Sequence, residues 1–296
     1  MNRLLITILV TLLASTGLFA QLDPASLALR AYTNKDLAKA QELIELAIKE
    51  EQSAALAKTW YFRGYIYKDL YKEDRFSSAG HEKRNVSIES FLKTIELDEA
   101  KEFAGDCAQS LKYLSSTLYN DAAGYLDQDR MDQAQDFYDR YKTLENKINP
   151  EMDFTARDIE FMLYKASKLS VIYEKASDPA EQDRLSIDIV NLYMGVIKLD
   201  SNDIGANYNL AIHYYNQGVN IIDNMDYELP FDELFKIQEK VMELFTKALP
   251  FMLKAYELDP TRKATLQGLS GIYFGLSDIE KSEYYQKELE KLESNE

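Results

Sequence analysis

The sequence predicts an all-α protein, and three observations carry that prediction. Its 296 residues include only six prolines and eleven glycines, so long helices with short punctuation suit the chain. Small and apolar residues recur at the spacing that lines one face of a helix, through most of its length. Period-two runs rich in Val, Ile and Thr, the mark of half-buried strands, are missing. At 46% hydrophobic and 28% charged, the composition is that of a globular chain able to bury a core.

Residues 1–20 stand apart. A positive start at Arg3, an apolar run from Leu4 to Leu13 and a small-residue exit at Thr16-Gly17-Leu18-Phe19-Ala20 predict a secretory signal peptide. The run is short for a membrane span. Cleavage would leave an exported, soluble protein, periplasmic or secreted, with no stable membrane insertion. Loss of Arg3 makes the formal charge of -16 one unit more negative. So acidic a surface argues against nucleic acid and anionic lipid as partners. Cys107 is the only cysteine, so no intrachain disulfide is available and stability must come from packing. A small buried hydrophobe is its expected role.

The remainder divides into six helix pairs. Ala28 and Ala31 lie on a first helix whose partner, Asp36 to Ala47, carries Ala40, Ile44 and Ala47 on one face. Trp60, Gly64 and Tyr67 share a face of the next helix, and Ser87, Phe91 and Thr94 a face of its partner. Between them the polar stretch from Lys72 to Asn85, with Gly80 and His81, reads as a surface loop. Ala122 and Tyr125 precede Ala134, Tyr138 and Tyr141 in a third pair closed by Pro150, with a first helix extended back to Phe103. Phe161 to Tyr173 and Ile187 to Leu199 form the fourth, joined by Ser177-Asp178-Pro179, where Asp178 suits an N-cap and Pro179 a first helical residue. The fifth opens at Leu199 to Gly218 and resumes at Ala248, Met252 and Ala255. The insertion between is acidic from Asn224 to Glu233 and amphipathic from Phe231 to Thr246, and Pro250 is expected to kink any continuous helix. Ala264 to Phe274 and Ile279 to Leu292 form the last pair, whose final helix alternates Lys and Glu on its exposed side.

The stretch LDSNDIGANYNLAIHYYNQG, Leu199 to Gly218, resembles the first helix of a tetratricopeptide (TPR) repeat. Counting Ile204 as position 1 puts Leu210 at 7, Ala211 at 8, Tyr214 at 11 and Gly218 at 15, with Asn207 where the family has a large residue at 4. Trp60 to Tyr67 matches at 4, 8 and 11, with Arg63 replacing the Leu at 7. A small residue at 8 lets the partner helix approach closely. The resemblance implies a right-handed superhelical solenoid of about six TPR-like helix pairs with insertions. They form one domain over residues 21–296, with units near 21–53, 57–100, 101–150, 152–202, 203–260 and 261–294.

It also implies a concave groove lined by first-helix residues. On this chain those are Lys58, Tyr61, Phe62, Tyr65, Lys68 and Asp69, then Tyr119, Asn120 and Asp127, then Tyr208, Asn209, Ile212, Tyr215 and Asn216, then Gln267 and Phe274. Those expected to contact a peptide are Tyr61, Tyr65, Tyr119, Asn120, Tyr208, Asn209, Ile212, Tyr215 and Asn216. An Asn amide pairs with both the donor and the acceptor of an extended backbone, and Tyr adds contact area at modest entropy cost. Some of these tyrosines also suit packing between repeats. Asn209 stands where chaperone-tail-binding members keep a clamp Asn. The Lys and Arg they place in the following repeat are here Ala264 and Gly268, which argues against a carboxylate clamp.

Catalytic constellations are hard to find in the sequence, and with 50 acidic residues the abundance of carboxylates identifies no glycosidase-type pair. His81 and His213 are too few and too isolated for a histidine metal site, and a structural or surface role suits His213. Asp127, Asp129 and Asp132 alternate as calcium ligands do, but the loop lacks the Gly and the closing Glu of an EF-hand. Neither a phosphate-binding glycine loop nor a nucleophile elbow occurs. The chain is therefore expected to have no catalytic residues, no metal and no cofactor. Its expected role is a non-catalytic protein- or peptide-binding scaffold or adaptor of the cell envelope. A glycan or small-molecule binding protein of an envelope uptake system is the alternative.

Overall fold

The computed structural model describes residues 23–226 and 228–294, so the predicted signal segment lies outside the described residues. Every regular element among them is an α-helix. In chain order these are α1 (Pro24–Thr33), α2 (Leu37–Ala47), the single turn α3 (Glu51–Ala54), α4 (Ala57–Glu73), α5 (Ser78–Leu97), α6 (Ala104–Asp127), α7 (Met131–Ile148), α8 (Thr155–Lys175), α9 (Pro179–Leu199), α10 (Ile204–Asp223), α11 (Phe231–Leu258), α12 (Lys263–Gly275) and α13 (Ile279–Ser294). Helices adjacent in sequence pack as pairs. The chain forms two compact units. One is built from residues up to Asp121 and from Phe137 to Met152, the other from Ala122 to Asp136 and from Asp153 onward.

In the first unit, Asp23 and Asp36 cap α1 and α2 by accepting from the backbone N–H of Ser26 (3.1 Å) and Lys39 (3.0 Å). Ala25 and Ala28 pack with Ala40, Ile44 and Ala47, and this core continues onto Ile66, Tyr67 and Leu70 of α4. A Cβ on Gly64 would stand 2.7 Å from the Phe91 ring, so only glycine lets α5 close on α4. Ser87 Oγ seals the approach by donating to the Gly64 carbonyl (2.8 Å). Arg63 earns its unexpected place through Glu45, to which it donates at 2.8 Å, and through its position over the Trp60 and Tyr67 rings.

The loop expected from Lys72 to Asn85 shrinks to residues 74–77. Ser77 caps α5 by accepting from Gly80 N (2.9 Å), and the helix absorbs the rest. What holds this charged stretch inside is Arg84, wholly buried between the Tyr71 and Phe137 rings. Its Nη1 donates to Asp121 Oδ2 (2.7 Å), Thr117 Oγ1 (3.1 Å) and Tyr71 Oη (3.3 Å). A buried guanidinium is tolerated when a carboxylate meets it, and this one comes from 37 residues further along the chain.

In the second unit, Ala166 and Leu169 of α8 pack against Leu185, Ile189, Tyr193 and Val196 of α9, and the cluster extends to Ala206 and Leu210 of α10. Asp178 caps α9 by accepting from Ala180 N (3.2 Å), with Pro179 at the first helical position. Asn207 is buried, and its Nδ2 donates to the Asp203 (2.9 Å) and Ser201 (3.2 Å) carbonyls. Trp60 does the same at the corresponding point of the first unit, its Nε1 reaching the Ala54 carbonyl at 2.8 Å. Each thus ties its helix start to a carbonyl six residues back, which explains how a small amide can replace a large ring. Pro250 does not break α11, which runs as one helix to Leu258. Ser270 and Ser282 cross-bond α12 to α13, each hydroxyl donating to the other's carbonyl at 3.1 and 2.9 Å.

Candidate functional site

On α10 the side chains of Asn209, Ile212, Asn216 and Asn220 follow one another at helical spacing and form a single stripe. Ser167, Ser170, Val171 and Glu174 form the matching stripe on α8. Together with Tyr173, Tyr193 and His213 they line an open cleft of about 560 Å³. Asn209, Asn216 and Asn220 are exposed, while Ile212 is half-buried. Tyr193 is buried, and that burial raises its hydroxyl pKa above the usual tyrosine value.

Electrically the cleft is almost neutral. Glu174 is its one carboxylate, in a chain whose formal charge is -16. Burial pushes His213 down to a pKa of about 4, so its imidazole is uncharged at neutral pH. Its Nε2 lies 3.0 Å from Ser186 Oγ, which also accepts from Gln217 Nε2 (2.9 Å), and its ring meets Tyr173 edge-on at 5.1 Å. The walls thus offer the Asn209, Asn216 and Asn220 amides, able to donate and to accept, and hydroxyls of which that of Ser170 donates to the Ala166 carbonyl (2.9 Å) and is left to accept, beside short apolar contacts. That is the chemistry of hydrogen-bonding to a polar but uncharged chain.

The other two candidates on α10 serve packing. Tyr208 lies under the Arg262 guanidinium (3.9 Å) and Tyr215 lies 5.4 Å from the Phe245 ring, with its hydroxyl over Gly271. Both belong to the cluster formed by α10 to α13. Along the chain, α10 therefore divides its polar and aromatic residues between the cleft it lines with α8 and the cluster it forms with α11 and α12.

In the first unit the first-helix candidates are engaged with one another. Tyr61 donates to Asp106 (2.7 Å), and its ring packs 4.5 Å from Phe103 and 4.9 Å from Tyr65. Lys68 lies 3.8 Å over the Tyr65 ring and donates to Ser110 (3.0 Å). Tyr32 and Lys72 both donate to Asp69, at 2.6 and 2.9 Å. Burial works to raise the Asp69 pKa, but these two partners outweigh it and hold the carboxyl below its usual range. Tyr119 packs on Tyr138 and Tyr141, and Asn120 is exposed on α6.

Seven cleft residues were not anticipated: Ser167, Ser170, Val171, Tyr173, Glu174, Tyr193 and Asn220. Family residues are weak in the pair to which α8 belongs, so the resemblance assigns its first helix no groove positions. The polar stripe Ser167, Ser170, Glu174, spaced for one face, was the available signal. Asp127 receives the Tyr164 hydroxyl and Lys168 (2.8 Å), which places it in a surface ion pair. Cys107 is fully buried, and that burial raises its thiol to about 11. Among the described residues no cluster of His, Cys, Asp and Glu is gathered for a metal, and no helix is long and apolar enough to cross a membrane. No protein-family model matches the chain, and comparison with curated proteins gives no match.

Proposed function

We infer that the protein is a non-catalytic, TPR-like helical-repeat scaffold of the cell envelope, arranged as a right-handed solenoid. In this reading it is exported and holds an extended segment of a partner protein in the cleft between α8 and α10. The observation that carries the reading is the pair of facing polar stripes, nearly free of charge within a strongly acidic chain. The pairing of consecutive helices across small residues such as Gly64 and Ser87 supports the repeat architecture.

Dimensions fit this occupant. At 1.5 Å per residue, the stripe from Asn209 to Asn220 is about 16 Å long. An extended chain rising about 3.3 Å per residue would lay roughly five residues along it. Asn209 and Asn216 would each take a backbone N–H and C=O, leaving affinity largely independent of partner charge.

The test is titration of the purified protein with a neutral peptide library, repeated on the Asn209→Ala, Asn216→Ala double variant. Hydrogen bonds are worth about 1 kcal/mol each, so the variant should bind roughly tenfold or more weakly with unchanged helicity. Saturable binding of a neutral oligosaccharide, with no peptide bound, would transfer the cleft to the glycan-binding alternative.

A further inference from the structure

A second concave surface lies at the inserted half of α11. It is a groove of about 310 Å³ walled by Ile222 at the end of α10, by Leu234, Phe235, Val241 and Met242 of α11, and by Gly275 at the end of α12. The first ten residues of α11 contain no buried side chain, yet they carry Phe231, Leu234, Phe235 and Ile237. Phe231 is 83% exposed, Phe235 52% and Met242 42%. Phe231, Leu234 and Phe235 stand at i, i+3 and i+4, which is the apolar stripe of a helix that packs against something. Large apolar side chains gathered in this way mark an interaction surface.

Charge decides the occupant. Between Ile222 and Glu243 the sequence carries six carboxylates against two lysines, and all six are exposed. A second copy of this chain would bring the same acidic rim to the contact, and an anionic lipid surface would be repelled as well. A segment with large apolar side chains on one face and Lys or Arg on its flanks satisfies both the floor and the rim. Met225 and Met242 give the floor a polarisable, adaptable surface for such side chains.

We propose that this groove docks a basic amphipathic helix of a partner protein, at a site separate from the α8–α10 cleft. The apolar stripe of the guest lies over Phe235 and Met242, and its cations face Asp226, Asp232, Glu233 and Glu239. The inference does not depend on what the cleft binds.

The probe is a synthetic Leu/Lys peptide with leucines at i, i+3, i+4 and i+7, titrated into the purified protein with a Leu/Glu peptide of the same pattern as control. The Leu/Lys peptide should bind saturably and the Leu/Glu peptide should not. Phe235→Glu and Met242→Glu should each weaken binding at least about tenfold with helicity retained. Each of these variants adds negative charge, so simple attraction of a cation to an acidic surface would strengthen instead. Asn209→Ala with Asn216→Ala should leave this binding unchanged, which separates it from the cleft. Absence of binding, equal binding of the Leu/Glu peptide, or affinity unaltered by Phe235→Glu and Met242→Glu would each overturn the proposal. So would a dimer in sedimentation that Phe235→Glu dissociates, because the occupant would then be a second copy.

Discussion

Two polar helix surfaces, one in each unit, end in opposite states. In the first unit, Tyr32, Tyr61, Tyr65, Lys68 and Asp69 satisfy one another and their neighbours on α6, through hydrogen bonds of 2.6 to 3.0 Å and a lysine seated over an aromatic ring. In the second, Asn209, Asn216 and Asn220 of α10 and Ser167 and Ser170 of α8 line an open cleft. The difference is one of reach. Tyr and Lys side chains are long enough to bridge α1, α4 and α6, and their polar groups are used up in doing so. Asn and Ser are too short to bridge, so the Asn amides stay at the walls and the Ser170 hydroxyl turns back to the Ala166 carbonyl of its own helix. Spacing along a helix says which side chains share a face, while side-chain length decides whether their polar groups reach a neighbouring helix or stay open.

Four predictions would break or sharpen this contrast. The largest effect is expected at Arg84, where the first unit depends most on internal pairing. Asp121→Ala strands a buried guanidinium and should lower unfolding free energy by about 3–5 kcal/mol, whereas Arg84→Met with Asp121→Leu should restore most of it. A loss below about 1 kcal/mol in denaturant titration would show that the pair is not what holds α5 in place.

Next comes pH, acting in the second unit. His213 has its pKa lowered from 6.5 to about 4, so the unfolded chain takes up that proton first. Stability from this group is complete above about pH 6.5 and is lost as pH falls toward 4, by up to about 3 kcal/mol. His213→Gln should remove that part of the acid slope, and parallel wild-type and variant curves would exclude His213 as its source.

Smaller still is Tyr32→Phe. It deletes one hydrogen bond to Asp69 and should cost about 1 kcal/mol while leaving peptide affinity unchanged. Because the Asp69 pKa is held down by this partner among others, the variant should also raise it, visible by carboxylate NMR titration. The smallest effect on stability, within about 0.5 kcal/mol, belongs to Asn209→Ala with Asn216→Ala, since both amides are exposed.

Helical class and the pairing of neighbouring helices were legible because they rest on local signals. Periodic small residues such as Ala28, Ala40 and Gly64 mark the packed faces, and Asp178-Pro179 marks a helix start. The stretch around Arg84 was misread as loop for an equally physical reason. Polar residues and a glycine look like surface until a partner is known, and Asp121 lies on another helix. Within the candidate site, spacing indicated a face of α10 but not which neighbour each residue meets. Tyr208 and Tyr215 pack with Arg262 and Phe245, while Asn209 and Asn216 line the cleft with α8. Nothing local to residues 204–223 distinguishes the two, because the deciding neighbours come from segments tens of residues away.

The central claim is that the α8–α10 cleft binds an uncharged stretch of extended chain through its amides. Calorimetric titration of wild type and of Asn209→Ala, Asn216→Ala against a neutral extended peptide tests it most directly. Wild-type binding that changes little with salt, and that weakens roughly tenfold or more in the variant with helicity intact, is the predicted result. Equal affinity in both proteins, or binding that salt abolishes, would contradict it.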